Sequence, residues 1–498
     1  MITEAEVANE SSVVRRLLLW SGWVFLGEAA ICLALFGWFA EARSFVAGPV
    51  IWASICFLLL RYWERVKRVA WMWLIPLIPA WLICLTLIYY IVLGTYVQLI
   101  AKPVPAQLIR PTPSAADIVA LDEAKHFLPP KSPEDAERSV AIKLLGDVRP
   151  AAGESWDSVL NSPPIRVAIA ESAPYLDTYF EFYAHHRPTH AVFSIETEFP
   201  DLDLRGTCGK AELIIIRDLA RTTDGAPEAR ARYDRLLKSS SEQLHGSSGI
   251  VGVLIEIRSV GYFLNLLEQP PGYFFSAESA QSQAALLAEM RGLLNPAYKE
   301  SYQAEWQAIE GVLARPPDLT QLSRLNNLDS ISLEDSRPTV LQKFPFFVKR
   351  DCEGTLAGRL NLACQVADLP IPAALLAIER FDRELESQKV PWGPNPYGRT
   401  VCAVLSPVYT AYWSKTKILE SKLAAYECGL RWQVTGSLAP VTDPMTGALF
   451  HPQILPDRLI IGGGHPKIGE PRHADEVKLA KYGLTGQCLY VIEMPRPR

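Results

Sequence analysis

Glu28 is the one Asp, Glu, Lys, Arg or His residue in the apolar run from Leu17 to Ala40. A carboxylate inside a bilayer is costly, and such a group often marks a proton path, an ion path or a contact with a partner. Because the run holds no second charged residue that could continue a path, we expect a neutral carboxyl group that hydrogen-bonds across a helix bundle. A role of Glu28 in transport or sensing is the alternative hypothesis.

Three histidines, His185, His186 and His190, could bind a metal ion. Two ligands on one helix face need i, i+4 spacing, and His186 and His190 have it. Pro188 lies between them and is expected to end the helix, and the sequence contains no His-Glu-x-x-His. We therefore predict surface histidines near a helix end, with His186 and His190 as weak metal candidates and no cofactor.

Six of the nine cysteines lie outside the first hundred residues, namely Cys208, Cys352, Cys364, Cys402, Cys428 and Cys488. In an oxidising compartment they could form up to three disulfide bonds, whereas in the cytoplasm they would be free thiols. No Cys-x-x-Cys pair indicates a zinc site or thioredoxin-like chemistry. The sequence thus predicts either disulfide bonds or simple burial for these side chains.

Composition limits the class of protein. Hydrophobic residues make up 49% of the chain and charged residues 21%, which excludes a disordered protein. The 49 Lys and Arg residues against 54 Asp and Glu residues give a net charge of -5, so no nucleic-acid partner is expected. Because no Gly-x-Ser-x-Gly motif or other catalytic signature is present, we favour a protein that is not an enzyme.

The first hundred residues differ from the rest, since they contain no Asp, six Glu, seven Lys and Arg, and eight of the 13 Trp. Three apolar runs predict transmembrane helices, at Leu17–Ala40, Phe45–Leu60 and Val69–Ala101. The first run holds 24 residues, or ~36 Å of helix against a hydrocarbon core of ~30 Å. The second run is the shortest and needs Arg61 and Arg65 to snorkel to the interface. A cleaved signal peptide ending at Ala42 is the alternative for the first run.

Basic residues flank these runs asymmetrically. They precede the first run and lie between the second and third, at Arg15, Arg16, Arg61, Arg65, Lys67 and Arg68. The turn between the first and second runs offers only Arg43. By the positive-inside rule, three crossings place residues 102–498 outside the cytoplasm. We therefore expect a multi-pass protein of the bacterial inner membrane with a large extracytoplasmic domain.

The remainder of the chain is mainly helical by its apolar periodicity. The clearest helices are Val167–His185, Gly209–Thr222, Pro227–Leu244, Ile250–Leu267 and Ala277–Leu294. The second and third of these form a helix-turn-helix unit around Asp224-Gly225. A long helix, Arg399–Trp432, is followed by strands within Leu449–Ile461 and Cys488–Glu493 that should pack against it.

The predicted fold class is mostly α, with a three-helix transmembrane anchor, a soluble domain of helix hairpins and a small C-terminal β element. Four prolines between Lys102 and Ser114 indicate an extended linker. The predicted segments are an N-terminal tail at 1–16, the anchor at 17–101, the linker at 102–114, the helical domain at 115–395, and the long helix with the β element at 396–498.

Several short motifs carry a resemblance to a known family. They are the stretch from Cys208 to Ala231, the Ile-rich Gly249–Ile257, Asn395-Pro-Tyr-Gly398, and the box Asp443-Pro-Met-Thr-Gly447. Over residues 115–455 the chain resembles a family of uncharacterised, membrane-anchored bacterial proteins with N-terminal transmembrane helices, a central helical region and a C-terminal Asp-Pro-x-x-Gly box. The resemblance implies this architecture and no particular activity.

The tail departs from that family, because Gly462-Gly-Gly-His-Pro466 stands where members have a Ser-Val-Gly or Ser-Leu-Gly turn. We expect a turn between two strands here, since no Lys-Ser/Thr or helix follows to form a phosphate-binding loop. The box is also similar to the C-terminal part of type II secretion pseudopilins, where it precedes a bound calcium. The calcium-binding carboxylates are not recognisable in this tail.

These observations favour a non-enzymatic membrane-anchored envelope protein, a helical scaffold or interaction module that faces the extracytoplasmic side. Its expected partners are the lipid bilayer and another protein of the envelope. Two alternatives stay open. One is an envelope hydrolase whose site assembles only in three dimensions, and the other is a small membrane transporter or sensor that uses Glu28.

Overall fold

The structure is a computed structural model, and it describes residues 4–36, 43–66, 72, 74–109, 119, 133–151, 153–186, 200–245, 249–271, 273–316, 342–369, 371–387, 393–405, 409–438, 440–450, 452–464, 481 and 490–495. The chain forms two compact units. The first unit comprises residues 1–104, 310–359 and 382–406, and the second comprises 105–309, 360–381 and 407–498.

The first unit begins with four helices, which are α1 (Glu4–Phe36), α2 (Arg43–Arg61), the short α3 (Trp63–Val66) and α4 (Leu74–Ile100). Buried residues of α1, α2 and α4 form a common core that includes Leu18, Phe25, Cys56, Leu77 and Cys84. At Gly22 a Cβ atom would stand 3.1 Å from the Phe57 ring, so α1 and α2 approach closely through a small residue.

These helices confirm the predicted apolar N-terminal region. Within α1 and α4, Ser12–Ala34 and Leu77–Ile100 are long and apolar enough to cross a membrane. The apolar stretch of α2, Val46–Arg61, is shorter. Their outward faces carry large exposed side chains such as Trp20 and Leu99, which suits contact with lipid. Helix α4 starts later than the predicted run and continues through Pro79.

The helices that follow are α5 (Pro133–Asp147), α6 (Trp156–Leu160), α7 (Pro163–Tyr183), α8 (Pro200–Leu219), α9 (Ala226–His245), α10 (Gly249–Glu268), α11 (Ala277–Ala314), α12 (Lys349–Val366), α13 (Ile371–Ser387), α14 (Pro396–Val404) and α15 (Tyr409–Thr435). Helices α8 and α9 form the predicted hairpin. A Cβ atom at Gly225 would clash with the Leu219 carbonyl oxygen, which explains the glycine in the turn.

Helix α10 lies at the centre of the second unit, where α8, α9 and α15 contact it. It is the third helix that is long and apolar enough to cross a membrane, but 61% of its apolar window is buried within the protein. A helix that is apolar on most sides needs such a cover of neighbours. The packing around α10 therefore accounts for its composition.

The prediction of one long helix over Arg399–Trp432 is wrong. Helix α14 ends at Val404 and α15 begins at Tyr409, and the intervening sequence contains Pro407. Proline has no backbone N–H and its ring clashes with the preceding helical turn, which favours a helix end before Pro407.

The predicted C-terminal β element is a three-stranded antiparallel sheet in the order β1 (Gln453–Ile454), β2 (Arg458–Gly463) and β3 (Tyr490–Pro495). A tight turn joins β1 to β2, with the Leu455 N–H donating to the Arg458 carbonyl oxygen at 2.8 Å. Both β2 and β3 pack on α15, as predicted. The predicted mostly helical fold with apolar N-terminal helices and a small C-terminal sheet is confirmed.

Candidate functional site

A polar cleft of about 800 Å³ opens in the second unit. It is lined by the short helix α6, the first turn of α7, the last turn of α8 and the segment that follows α10. Ser155 caps α6 by accepting a hydrogen bond from the Ser158 N–H at 3.2 Å, and Pro163 begins α7. Pro270 and Pro271 end the helical path after α10. Local sequence signals thus account for three of the four segments that line the cleft.

Arg221 is fully paired within this cleft. Its guanidinium lies 3.0 Å from an Asp157 carboxylate oxygen and 3.2 Å from an Asp218 oxygen. It also donates to the Asn161 side-chain oxygen at 3.1 Å. These contacts tie α6 to the end of α8 and neutralise the charge of Arg221.

Arg217 has a different environment. Its guanidinium donates to the Gln269 carbonyl oxygen at 3.0 Å and stacks over the Trp156 ring, 4.7 Å from the ring centre. Within the described part of the chain, no carboxylate pairs with it. Burial lowers the pKa of Arg217 to about 10, because the charged form loses water without gaining a counter-ion. It is still a cation at neutral pH.

Arg166 adds a second unpaired cation to the cleft. Its side chain is exposed in the first turn of α7 and has no ion pair among the residues that the structure describes. Three arginines and two aspartates therefore line the cleft, and the two aspartates are both used by Arg221. The cleft is suited to an anion that carries apolar atoms, since Leu160, Pro270 and the Trp156 ring also line it.

A buried ion pair joins α8 to α10. The Arg205 guanidinium contacts both carboxylate oxygens of Glu256, one of them at 3.1 Å, and both side chains are about 6% exposed. Arg205 also faces the hydroxyl groups of Ser239 and Ser240 on α9 and lies over the Tyr183 ring. One guanidinium nitrogen, Nη1, is buried without a hydrogen-bond partner in the described structure.

A second buried pair joins α8 to α9. Arg232 donates to the Glu212 carboxylate at 2.9 Å and also contacts Glu228 and Asp177. Burial raises the pKa of Glu212 to about 7, although the Arg232 guanidinium opposes that rise. Both pairs lie inside the helix bundle and are closed to solvent, so they hold helices together rather than form a reaction site.

Glu28 lies buried on α1, with 7% of its surface exposed, and hydrogen-bonds to the Cys84 thiol of α4. A second polar link between the same helices runs from the Trp81 indole N–H to the Ser21 hydroxyl at 3.0 Å. The structure thus places the Glu28 carboxyl group beside a hydrogen-bond partner on another helix.

The predicted histidines lie at the C-terminal end of α7. His185 is exposed and contacts Glu181 at 3.2 Å, whereas the half-buried His186 hydrogen-bonds to the Phe182 carbonyl oxygen at 2.9 Å and stacks on the Phe182 ring. His190 lies outside the described residues. Among the residues that the structure describes, no group of three or more His, Cys, Asp or Glu side chains could hold a metal ion.

Of the six cysteines in the predicted disulfide pool, the structure describes all but Cys488, and each of these five is buried and forms no disulfide bond. Cys352 and Cys402 are neighbours, and the Cys402 thiol donates to the Cys352 carbonyl oxygen at 3.9 Å. A hydrogen bond with Cys402, together with burial, raises the pKa of Cys352 above its usual range. Cys208, Cys364 and Cys428 are buried among other side chains.

The Asp-Pro-x-x-Gly box forms a turn whose aspartate is buried. The Asp443 carboxylate accepts hydrogen bonds from the Ser421 hydroxyl at 2.5 Å, the Met445 N–H at 2.9 Å and the Gly464 N–H at 3.0 Å. It therefore links α15, the turn and the end of β2. Gly462 and Gly463 of the predicted turn belong to β2 instead, where the Tyr490 ring occupies the space of a Cβ at Gly463. Gly464 follows the strand with a positive φ of 101°, and His465 and Pro466 lie outside the described residues.

Comparisons with protein-family models, with curated proteins and with solved structures found no match to this chain. The chain is therefore characterised by its own fold and cleft. It is a mostly helical protein with apolar helices that are long enough to span a membrane and with an arginine-lined cleft in its second unit.

Nothing in the sequence alone indicates this cleft. Arg217 and Arg221 are four residues apart near the end of α8, where basic residues are common because they complement the helix dipole. Trp156 stands alone in a short helix, and Gln269 is more than a hundred residues away. Only folding brings these residues together.

Proposed function

We propose that this chain is a non-enzymatic membrane-anchored interaction protein of the bacterial envelope, and that its cleft binds an acidic segment of a partner protein. The observation that carries the proposal is Arg217, a partly buried guanidinium with a carbonyl oxygen and an indole ring as its described neighbours. A carboxylate placed in the cleft would give this cation the charge-assisted hydrogen bonds that it lacks.

The shape of the cleft supports a peptide side chain as the ligand. Its volume of about 800 Å³ falls in the range of ligand pockets, and its walls combine cations with apolar surface. The rigid frame supports the same role. Arg221 and its two aspartate partners hold α6 against α8, so Trp156 and Arg217 are in place before a ligand arrives.

The apolar helices α1 and α4 support a membrane anchor. The basic residues Arg15 and Arg16 before α1, and Arg61 and Arg65 after the apolar part of α2, support cytoplasmic positions for both flanks. With three crossings, the second unit would face the extracytoplasmic side of the inner membrane. In that compartment its partner would be another envelope protein.

Binding of an acetylated and amidated tetraglutamate peptide to the full chain in mild detergent tests the cleft. We expect R217Q to weaken binding by about ten- to a hundredfold, because a hydrogen bond to a charged group contributes about 1.5–3 kcal/mol. R217K should retain part of the affinity, since it keeps the charge and loses the flat guanidinium. Calorimetric titration at low and high salt measures both effects.

R258Q is a matched control. Arg258 also lies over an aromatic ring, that of Tyr262, but it does not line the cleft, so its loss should leave peptide binding unchanged. Equal affinities of the wild type and R217Q, or no binding by the wild type at millimolar peptide, would overturn the proposed function.

Labelling of single cysteines at Ser114 and Arg43 with a membrane-impermeant reagent on intact cells, in a background without native thiols, tests the orientation. Labelling at both positions supports three crossings and an extracytoplasmic second unit. Labelling at Arg43 alone would mean a cytoplasmic second unit, and the envelope role would then be wrong.

A further inference from the structure

We propose that the first unit binds an anionic phospholipid, with the lipid phosphate in a cavity at the end of α4. The cavity measures about 520 Å³ and is lined by the last turn of α4, the chain that follows it, the segment around Phe347 and the start of α12. All of these residues belong to the same compact unit.

The cavity has a surplus of positive charge. Three basic residues, Lys102, Lys349 and Arg350, line it together with a single carboxylate, Glu353. Glu353 pairs with Lys349 at 3.4 Å. Lys102 and Arg350 are exposed, and neither has an ion pair in the described part of the chain. Two cations are therefore available to a phosphate group.

The position of two of these cations is unfavourable for the folded chain alone. Lys349 and Arg350 are the first two residues of α12, an 18-residue helix, and the N-terminus of a helix carries partial positive charge. Helix starts normally attract acidic residues and anions, because their first N–H groups have no partner within the helix. Asp351 and Glu353 offset part of this repulsion, and a bound phosphate would offset more of it.

The neighbouring surface is apolar and membrane-like, which favours a lipid over a free phosphate. Phe344 and Pro345 pack so closely on α4 that a Cβ at Gly94 would stand 3.0 Å from the Phe344 ring. The Phe346 ring lies at a tilted angle against the Tyr90 ring on the same helix, with 5.5 Å between the ring centres. Aromatic side chains of this segment therefore cover α4 next to the cavity.

The end of α4 also offers a surface for acyl chains. Leu99 and Ile100 are 75% and 56% exposed, and they lie three and two residues before Lys102 in the chain. A phosphodiester held by Lys102 and Arg350 would therefore place its glycerol and acyl chains along the apolar face of α4. A free phosphate would use the cations but not this face.

Native mass spectrometry and thermal unfolding of the full chain in mild detergent test the proposal. Added phosphatidylglycerol should remain bound and raise the unfolding midpoint, whereas phosphatidylcholine and inorganic phosphate at the same concentration should do neither. The double variant K102Q/R350Q should bind phosphatidylglycerol at least tenfold more weakly. The charge-conserving K102R/R350K should bind phosphatidylglycerol like the wild type. This result would show that K102Q/R350Q binds weakly because it lacks the positive charges and not because it misfolds.

R315Q/R380Q is the matched control, because it removes two exposed positive charges that do not line the cavity. It should bind phosphatidylglycerol like the wild type. Equal binding of phosphatidylcholine, equal stabilisation by inorganic phosphate, or equal affinity of K102Q/R350Q and the wild type would each overturn the lipid site.

Discussion

Helices α1 and α10 are similar in apolar length and differ in how far neighbouring helices cover them. Both contain a stretch that is long and apolar enough to cross a membrane, and within that stretch each has one buried glutamate, Glu28 or Glu256. In α1 39% of the apolar window is buried within the protein, whereas in α10 the share is 61%. Both helices are therefore equally suited to a membrane by apolar length, and they differ in their cover by neighbouring helices.

The two glutamates show the same difference. Glu256 in α10 contacts the Arg205 guanidinium on α8, which also faces two serine hydroxyl groups on α9. Glu28 in α1 has a thiol as its hydrogen-bond partner. An ion pair suits a carboxylate that stays charged, and a thiol suits a carboxyl group that needs no counter-ion. Substitutions at these two positions should therefore have unequal effects.

The largest expected effect is that of E256A. It leaves the Arg205 guanidinium buried without a counter-ion, and the loss of one partner of a buried pair costs about 3–5 kcal/mol. We expect a lower midpoint of thermal unfolding for the full chain in mild detergent. The exposed Glu171 on α7 gives the control, because E171A should change the midpoint little.

A double variant, R205M/E256L, sharpens this test. Replacement of both partners by apolar side chains removes the unpaired charge and should recover much of the lost stability. An E256A midpoint equal to that of the wild type would show that α10 needs no ion pair, and the contrast with α1 would then disappear.

A smaller effect is expected from E305Q. Glu305 lies on α11 and contacts the start of α10. The Glu305 carboxylate accepts a hydrogen bond from the Ile250 N–H at 3.3 Å, and burial raises the pKa of Glu305 to about 7. The folded chain thus holds this proton more tightly than the unfolded chain, in which glutamate titrates near pH 4.3. The contribution of protonated Glu305 to the stability of the folded chain is complete below about pH 4.3 and is lost as the pH rises through about 7.

Glutamine keeps the neutral form at every pH, so E305Q should remove this part of the pH dependence. The difference in unfolding free energy between the wild type and E305Q should change by up to about 3 kcal/mol between pH 4 and pH 8. Unfolding curves across this range measure the change. Parallel pH profiles for the two proteins would contradict a buried, proton-holding Glu305.

The smallest effect is expected from E28Q. Glutamine can keep a hydrogen bond to Cys84, and an amide is less costly than a carboxylate within a bilayer. The midpoint should shift by less than the equivalent of about 1 kcal/mol, and the yield in the membrane fraction should not fall. The same chemical change in α10, E256Q, should cost more. A large loss for E28Q alone would reverse the comparison and support a transport or sensing role.

Local patterns predicted the parts of the fold that depend on nearby residues. The apolar N-terminal helices follow from hydropathy, and the α8–α9 hairpin follows from its Asp224-Gly225 turn. The single helix predicted across Pro407 failed because periodicity was given more weight than the missing N–H of proline. Proline also divides the run Leu449–Ile461, which holds parts of two strands with a turn at Pro456 and Asp457 between them.

The pairs that define the interior could not be predicted in this way. Arg205 and Glu256 are 51 residues apart, and nothing in the sequence marks them as partners. The cleft around Arg217 draws on three separate segments, and the lipid cavity joins the end of α4 to residues some 250 positions later. Long-range pairing of this kind follows from packing and not from spacing.

The short strand β3 has a consequence for how the chain is made. It pairs with β2 and contacts α10, which is synthesised more than two hundred residues earlier. A nascent chain therefore carries an apolar helix whose last cover arrives only when Tyr490–Pro495 has been translated. A premature stop before Tyr490 would leave part of α10 uncovered, and such a surface is what chaperones and proteases bind. Loss of these six residues should therefore expose apolar surface of α10.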